Sequence, residues 1–379
     1  MGNRIGHIDG LRGLAILSVL FYHAYSRWPS LSPLPYGDSF APFFGWGYLG
    51  VELFFIISGF VIFMTLDRCE TFGQFILKRW LRLFPCMLIV TALIFVTAPV
   101  IYRPDGNPTL AQAIPGLTFI DHRWMAYIGG PSSPLEGAFW SLFAEVKFYV
   151  FAGIAYFLFG RQWAIAALLC GFIGYWICGP LSLEGPQYAA YLFDMPYWAW
   201  FACGALFYEA RREDNARLFK LAIGVGAVAS AAPIPGAFSV PNLQWFPFIG
   251  LPFVLLFAAG LTSQAVQRLL ASRWLLLFGA ISYPLYLIHE QALIGTTIVL
   301  GRYVPTFASG LLPLLPAGAL IAISWAIAAH GEKPLKLALE ALLQAAPKLS
   351  REQSESCWIC RDVEPSETVC EKHATEQHA

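Results

Sequence analysis

The first apolar segment of the chain carries an arginine and a histidine, Arg12 and His23, eleven residues apart. Eleven steps of about 100° return an α-helix to nearly the same face, so the two side chains point in the same direction. Their separation along the axis is about 16 Å, roughly half the thickness of a bilayer's hydrocarbon core. This spacing predicts a cation at one mouth of a membrane helix and, near mid-membrane, an imidazole able to act as a general base. An interfacial histidine and a topology-fixing arginine would explain the same spacing.

Further charged residues lie near the ends of other apolar segments. Arg79 and Arg82 are three residues apart, hence neighbours on one helix face, where two guanidinium groups could bind a phosphate or pyrophosphate. Binding of anionic lipid headgroups, or topology alone, would explain this pair equally well. Glu145 follows Trp140 and Ser141 in a later segment, and its carboxylate could orient a histidine and stabilise its charged form.

Other polar residues fall inside apolar segments, where an ionisable group is costly and therefore suggests a function. Glu52 and Ser58 share the second segment, and a small residue such as Ser58 also permits close helix packing. Tyr283 belongs to a polar stripe, residues 282–289, that ends in His289 and is followed by the ionisable Glu290. A buried histidine there needs a partner or water. Buried polar pairing without a catalytic role would explain Glu52 and His289 equally well.

Composition predicts that the elements positioning these residues are membrane helices. Of the 379 residues, 57% are hydrophobic and 13% are charged, whereas a soluble protein carries roughly a quarter charged residues. Each membrane helix requires about 20 mostly apolar residues. The sequence therefore predicts an all-α, polytopic bundle with ten spans, at residues 13–31, 47–66, 83–101, 138–159, 163–180, 191–209, 218–234, 247–263, 274–294 and 308–330.

The distribution of basic residues predicts the orientation of the bundle. If the amino terminus is cytoplasmic, nineteen Lys and Arg residues fall on that side and four on the other, with Lys147 inside a span. This bias follows the positive-inside rule, and an even number of spans places both termini in the cytoplasm. Residues 1–346 are expected to form the transmembrane domain, and the polar residues 347–379 a flexible cytoplasmic tail.

The net charge argues against a nucleic-acid ligand, and the composition of the carboxyl-terminal tail argues against a bound zinc ion. The formal net charge is zero, with 24 basic and 24 acidic residues, which does not indicate nucleic-acid binding. Cys357, Cys360, Cys370 and His373 have a spacing that could hold zinc. Because the tail is short, hydrophilic and rich in Glu, we expect no metal site there.

These segments resemble, in order, the signatures of the acyltransferase-3 family of integral membrane acyltransferases, and the likeness runs over most of residues 5–336. The matching segments are residues 8–15 followed by His23, residues 50–60, Arg79 with Arg82, residues 140–149, residues 282–289 and residues 332–334. The resemblance implies transfer of an acyl group, acetyl or similarly small, to a hydroxyl of a cell-envelope or secreted carbohydrate. It also implies a bacterial inner-membrane location.

The resemblance assigns expected roles to individual residues. It implies that His23 is the general base and that Glu145, which falls on the family's glutamate, orients it. Arg12, Arg79 and Arg82 would bind a cytoplasmic acyl-CoA, which is a donor co-substrate, so that no permanently bound cofactor or metal is needed. A supporting role is expected for Asp9, Glu52, Ser58, Trp140, Ser141, Tyr283 and His289.

Other mechanisms and functions remain compatible with these residues. His23 could itself form a covalent acyl intermediate. A transporter or flippase of an acylated or lipid-linked substrate could use His23 and Glu145 as a proton relay, although no internal repeat is visible. A non-catalytic sensor or scaffold would tolerate the loss of His23.

Overall fold

The computed structural model describes residues 5–28, 31, 43–232, 248–303 and 310–355, with side chains up to residue 344. Within these ranges the regular secondary structure is entirely helical, as predicted. The helices are α1 Gly6–Tyr25, α2 Gly50–Leu66, α3 Phe72–Thr97, α4 Leu110–Thr118, α5 His122–Ala126, α6 Phe139–Phe159, α7 Arg161–Cys178, α8 Glu184–Leu192, α9 Trp198–Arg212, α10 Ala216–Ala231, α11 Leu251–Thr262, α12 Gln264–Leu270, α13 Arg273–Gly301, α14 Leu314–Ala326 and α15 Glu332–Glu355.

The chain divides into two compact units, residues 1–334 and 335–379. All residues proposed for the site belong to the first unit. In the second unit, Lys336 and Glu340 form an ion pair one helical turn apart, at 3.7 Å. The cysteines of the predicted tail lie outside the described residues.

Five helices among the described residues are long and apolar enough to cross a membrane: Gly45–Leu66, Phe72–Thr97, Phe139–Phe159, Arg161–Cys178 and Leu314–Gln344. A sixth span results if α11 and α12, which meet at a bend of 108°, are taken together. The predicted count of ten spans is not confirmed. The helices α9 and α10 have 15 and 16 residues, which is shorter than the hydrocarbon core at about 1.5 Å per residue.

Two helix pairs pack with their backbones in direct contact. A Cβ atom added to Gly13 of α1 would lie 2.1 Å from a backbone oxygen of α13, and one on Gly279 of α13 would lie 2.0 Å from a backbone oxygen of α1. The same relation joins α2 and α9 through Gly59 and Gly204, with distances of 2.0 and 1.9 Å. Small residues allow such close approach. The first contact fixes α1, which carries Arg12 and His23, against α13.

Lys147, the lysine in the apolar helix α6, has its charge balanced by an ionic network. The Nζ of Lys147 donates to Asp194 Oδ2 at 2.6 Å, to the Leu192 carbonyl at 2.8 Å, and to Asp121. Arg123 joins the same two carboxylates, at 2.6 Å from Asp121 Oδ2 and 2.7 Å from Asp194 Oδ1. Since every charge in this buried network has opposite-charge partners, it fastens the short helix α5 and the turn before α9 to α6.

Candidate active site

A cavity with an empty volume of about 800 Å³ gathers the three arginines singled out in the sequence. We call it the arginine cavity. Arg12 comes from α1, and Arg79 and Arg82 come from α3. Each is anchored by one polar neighbour: Arg12 Nη1 lies 3.1 Å from Asp9 Oδ1, Arg79 donates to the hydroxyl of Thr65, and Arg82 Nη1 lies 3.8 Å from Glu332 Oε2. Three guanidinium groups around one cavity suit an anion with several phosphates.

Glu145 belongs to this cavity as well. Its Oε1 accepts hydrogen bonds from the hydroxyls of Ser58 and Tyr149, and the Tyr149 ring lies 5.8 Å from the Arg79 guanidinium carbon. The structure therefore brings together Ser58, Glu145 and the arginines. It does not place Glu145 beside His23, as the sequence-based hypothesis required.

A second cavity, with an empty volume of about 1450 Å³, contains His23 and is called the histidine cavity. Its lining also includes Glu290, from the same α13 helix that packs against α1. The remainder of the lining is rich in aromatic side chains with a polar group, namely Tyr22, Tyr48, Trp140, Tyr191, Tyr197 and Tyr286. Two arginines line it as well, Arg27 and Arg123, and Arg123 is ion-paired with Asp121 and Asp194. Aromatic faces mixed with hydroxyls and with charges of both signs suit a polyhydroxyl molecule.

The hydrogen bonds of His23 assign its tautomer. The carbonyl of Tyr286 lies 2.8 Å from His289 Nδ1, so that nitrogen carries a proton and His289 Nε2 is an acceptor. His23 Nδ1 lies 3.2 Å from His289 Nε2 and 2.9 Å from the Val19 carbonyl. Both neighbours accept, so His23 Nδ1 carries the proton, and the lone pair is on Nε2.

Glu290 is the carboxylate closest to that lone pair among the described ion pairs. Its Oε1 lies 3.9 Å from His23 Nε2, while its Oε2 accepts the backbone N–H of Ala138 at the start of α6. The sequence showed Glu290 as an ionisable residue within a span but gave it no role. Its position directly after His289 was the available signal, but the pairing depends on α1 packing against α13.

Glu52 and the remaining predicted residues lie around the two cavities. Glu52 lines the histidine cavity and is 2% exposed, and its Oε2 has no hydrogen-bond partner among the residues that the structure describes. Trp140 lines the histidine cavity, whereas Ser141 and Tyr283 line the arginine cavity. No cluster of three or more His, Cys, Asp or Glu side chains suited to a metal occurs in the described part of the chain.

Comparison with known proteins adds an independent finding. The acyltransferase-3 family model, described as an acyltransferase domain, matches residues 5–330. The peptidoglycan O-acetyltransferase of Listeria monocytogenes is 27% identical over 157 residues, covering 38% of this chain and 22% of that protein. A putative peptidoglycan O-acetyltransferase of Bacillus subtilis is 28% identical over 157 residues, covering 38% and 22%. The matched region thus spans less than a quarter of these relatives. No solved structure matches the chain significantly.

Proposed function

The chain belongs to the acyltransferase-3 family, and from this premise we propose that it transfers a small acyl group, such as acetyl, from acyl-CoA to a carbohydrate hydroxyl. The observation that carries the proposal is the pair of cavities, one containing three arginines and the other containing His23. A reaction between an anionic donor and a neutral acceptor needs two such environments side by side.

The arginine cavity is the proposed donor site. Acyl-CoA carries a pyrophosphate and a further phosphate, which Arg12, Arg79 and Arg82 would bind, while the pantetheine arm extends toward His23. The positive-inside rule places these arginines at the cytoplasmic end, where acyl-CoA is available. In this arrangement Glu145 orders Ser58 and Tyr149 within the donor site and does not act on His23.

His23 Nε2 is the proposed general base. It takes the proton of the acceptor hydroxyl as the oxygen attacks the thioester carbonyl. When the resulting tetrahedral intermediate collapses, the carbon–sulfur bond breaks, and the imidazolium returns the proton to the departing CoA thiolate. Glu290 stabilises the transient imidazolium, and His289 holds His23 in the reactive tautomer as a positioning residue.

The histidine cavity is the proposed acceptor site, open to the outer face of the membrane. Relatives of this chain are named as peptidoglycan O-acetyltransferases, and we propose a cell-wall or other envelope glycan as acceptor here. The proposal includes a location in a bacterial inner membrane with both termini cytoplasmic and up to ten spans. The transporter alternative gains no support from the site, because Glu145 and His23 line different cavities among the described residues.

Transfer of labelled acetyl from acetyl-CoA to peptidoglycan oligosaccharides by the purified protein in detergent tests the proposal. His23→Ala is expected to reduce transfer by about 1000-fold or more. His330→Ala is the matched control, since His330 is exposed and lines neither cavity. Undiminished transfer by correctly inserted His23→Ala protein would overturn the base assignment. Absence of any transfer by the wild type, together with unchanged envelope glycans in cells lacking the protein, would overturn the function.

A further inference from the structure

The two cavities share one lining residue among the described residues, Tyr286. Its ring has two aromatic neighbours: the Phe54 ring, which lines the arginine cavity, at 6.0 Å between centroids, and the His289 ring at 5.5 Å. Because this side chain lines both cavities, it forms part of the wall of each at the place where they adjoin.

The hydroxyl of Tyr286 is tethered at this boundary. It donates to the Ala138 carbonyl at 2.9 Å, and the Ser141 hydroxyl, at 2.7 Å, therefore donates to it. Ala138 lines the histidine cavity, whereas Ser141 lines the arginine cavity. The tether thus crosses from one cavity to the other at the start of α6.

A proline interrupts the hydrogen bonding of the α13 backbone next to Tyr286. Pro284 lies inside α13 two residues earlier, and proline supplies no N–H to the helical hydrogen-bond ladder and kinks the helix. The Tyr286 carbonyl accepts from His289 Nδ1. Movement of this turn would therefore shift His289 and its contact with His23.

We propose that Tyr286 is a partition that keeps the acyl thioester away from the histidine cavity until the hydroxyl leaves its two tethers. This inference rests on the proposed acyl transfer. The physical need for it is a competing reaction: a water molecule at His23 Nε2 can be activated as readily as an acceptor hydroxyl. Water attacking the thioester carbonyl breaks the carbon–sulfur bond and yields a carboxylic acid and free CoA thiol. A closed partition suppresses this loss.

Three substitutions distinguish the effect of the hydrogen bonds of Tyr286 from the effect of its ring. Tyr286→Phe keeps the ring and removes both hydrogen bonds, Ser141→Ala removes one, and Tyr286→Ala removes the partition. Tyr283 provides the matched control in the same helix, since its hydroxyl donates to the Leu83 carbonyl at 3.1 Å and it lines only the arginine cavity. Whatever Tyr283→Phe does to total turnover, it is expected to leave the ratio of hydrolysis to transfer unchanged.

The purified full-length protein in detergent is supplied with labelled acetyl-CoA, with and without peptidoglycan oligosaccharides, and acetate and acetylated glycan are measured separately. We expect Tyr286→Phe to raise the ratio of hydrolysis to transfer about tenfold, as the loss of two neutral hydrogen bonds implies. Tyr286→Ala should raise it further, and Ser141→Ala less. Wild-type ratios in Tyr286→Phe and Tyr286→Ala would overturn the partition.

A second measurement does not depend on activity. In a full-length variant without native cysteines, Ser58→Cys places a thiol in the arginine cavity, and a small cationic thiosulfonate is applied to proteoliposomes from the histidine-cavity face. Labelling is expected to accelerate about tenfold or more when Tyr286→Ala is added. Equal labelling rates would overturn the partition. If the wild type shows no acetyl transfer but labelling still depends on Tyr286, the proposed function fails while the partition stands.

Discussion

Replacing Glu290 by glutamine tests the geometry around His23 most directly. Glu290 Oε1 lies 3.9 Å from His23 Nε2, the nitrogen proposed to receive the proton. At 3.9 Å, two unit charges attract by about 4 kcal/mol in an effective dielectric constant of about 20. Because the imidazole becomes charged only as the proton arrives, this attraction stabilises the transition state rather than bound substrate. Its loss is expected to lower kcat about 1000-fold.

The substitution leaves the surrounding structure intact. A glutamine carbonyl can still accept the N–H of Ala138, which now binds the Glu290 carboxylate, so the start of α6 should stay in place. Glu145→Gln is the matched control, because Glu145 lies in the arginine cavity and contacts Ser58. It should raise the KM for acyl-CoA more than it lowers kcat.

Steady-state transfer of labelled acetyl at saturating donor, on protein checked for correct insertion, provides the assay. A Glu290→Gln kcat within about threefold of wild type, with a large loss of kcat in Glu145→Gln, would refute the assignment. That result would restore the role for Glu145 that the sequence suggested. Loss of donor binding in Glu290→Gln would refute the separation of the two cavities.

Three further predictions concern the rest of the molecule. Burial opposes ionisation of Asp121, but hydrogen bonds and charge from Arg123 and Lys147 outweigh it and lower its pKa to about 2. The lowered pKa contributes about 2 kcal/mol to the free energy of unfolding, a contribution that should be full above pH about 4 and lost as the pH falls toward 2. Asp121→Asn should flatten this pH dependence in thermal unfolding scans. Gly204→Val should destabilise the protein by about 1–3 kcal/mol or prevent folding, since even a Cβ would lie 1.9 Å from a backbone oxygen; a wild-type melting temperature would contradict the α2–α9 contact. Glu52→Gln should raise the acceptor KM and leave the donor KM unchanged, because Glu52 lines the histidine cavity and its buried Oε2 has no hydrogen-bond donor within the described part of the chain. An effect on the donor KM alone would contradict its place in the histidine cavity.

The sequence predicted those parts of the site that depend on one helix or on helix ends. Helical spacing predicted that Arg79 and Arg82 share a helix face, and the positive-inside rule predicted that Arg12 lies on the same side of the membrane. The grouping of all three as a donor site was implied by the family resemblance. The depth of His23 relative to Arg12 follows from the rise of a single helix. Neither inference requires knowledge of which helices are neighbours.

Identifying the carboxylate partner of His23, in contrast, requires knowing which helices are neighbours. Glu145 and Glu290 are both carboxylates within apolar segments, and only the packing of α1 on α13, through Gly13 and Gly279, selects Glu290. The predicted count of ten spans stays a prediction for a related reason. Short helices such as α9 are buried against others, and hydropathy does not distinguish them from complete spans.

Contacts also divide the charged residues of the bundle into two kinds, a distinction that hydropathy cannot make. Lys147 and Asp194 were unexplained charges in predicted spans, and the structure gives each of them buried partners of opposite charge. Their energetic cost is offset locally, so they need no substrate to compensate them. His23 and Glu290 are different, because they remain 3.9 Å apart at the wall of a cavity, with His23 Nε2 unprotonated. An intramembrane charge with complete local pairing is therefore a structural element here, whereas an incompletely paired one beside a cavity is where chemistry should be sought.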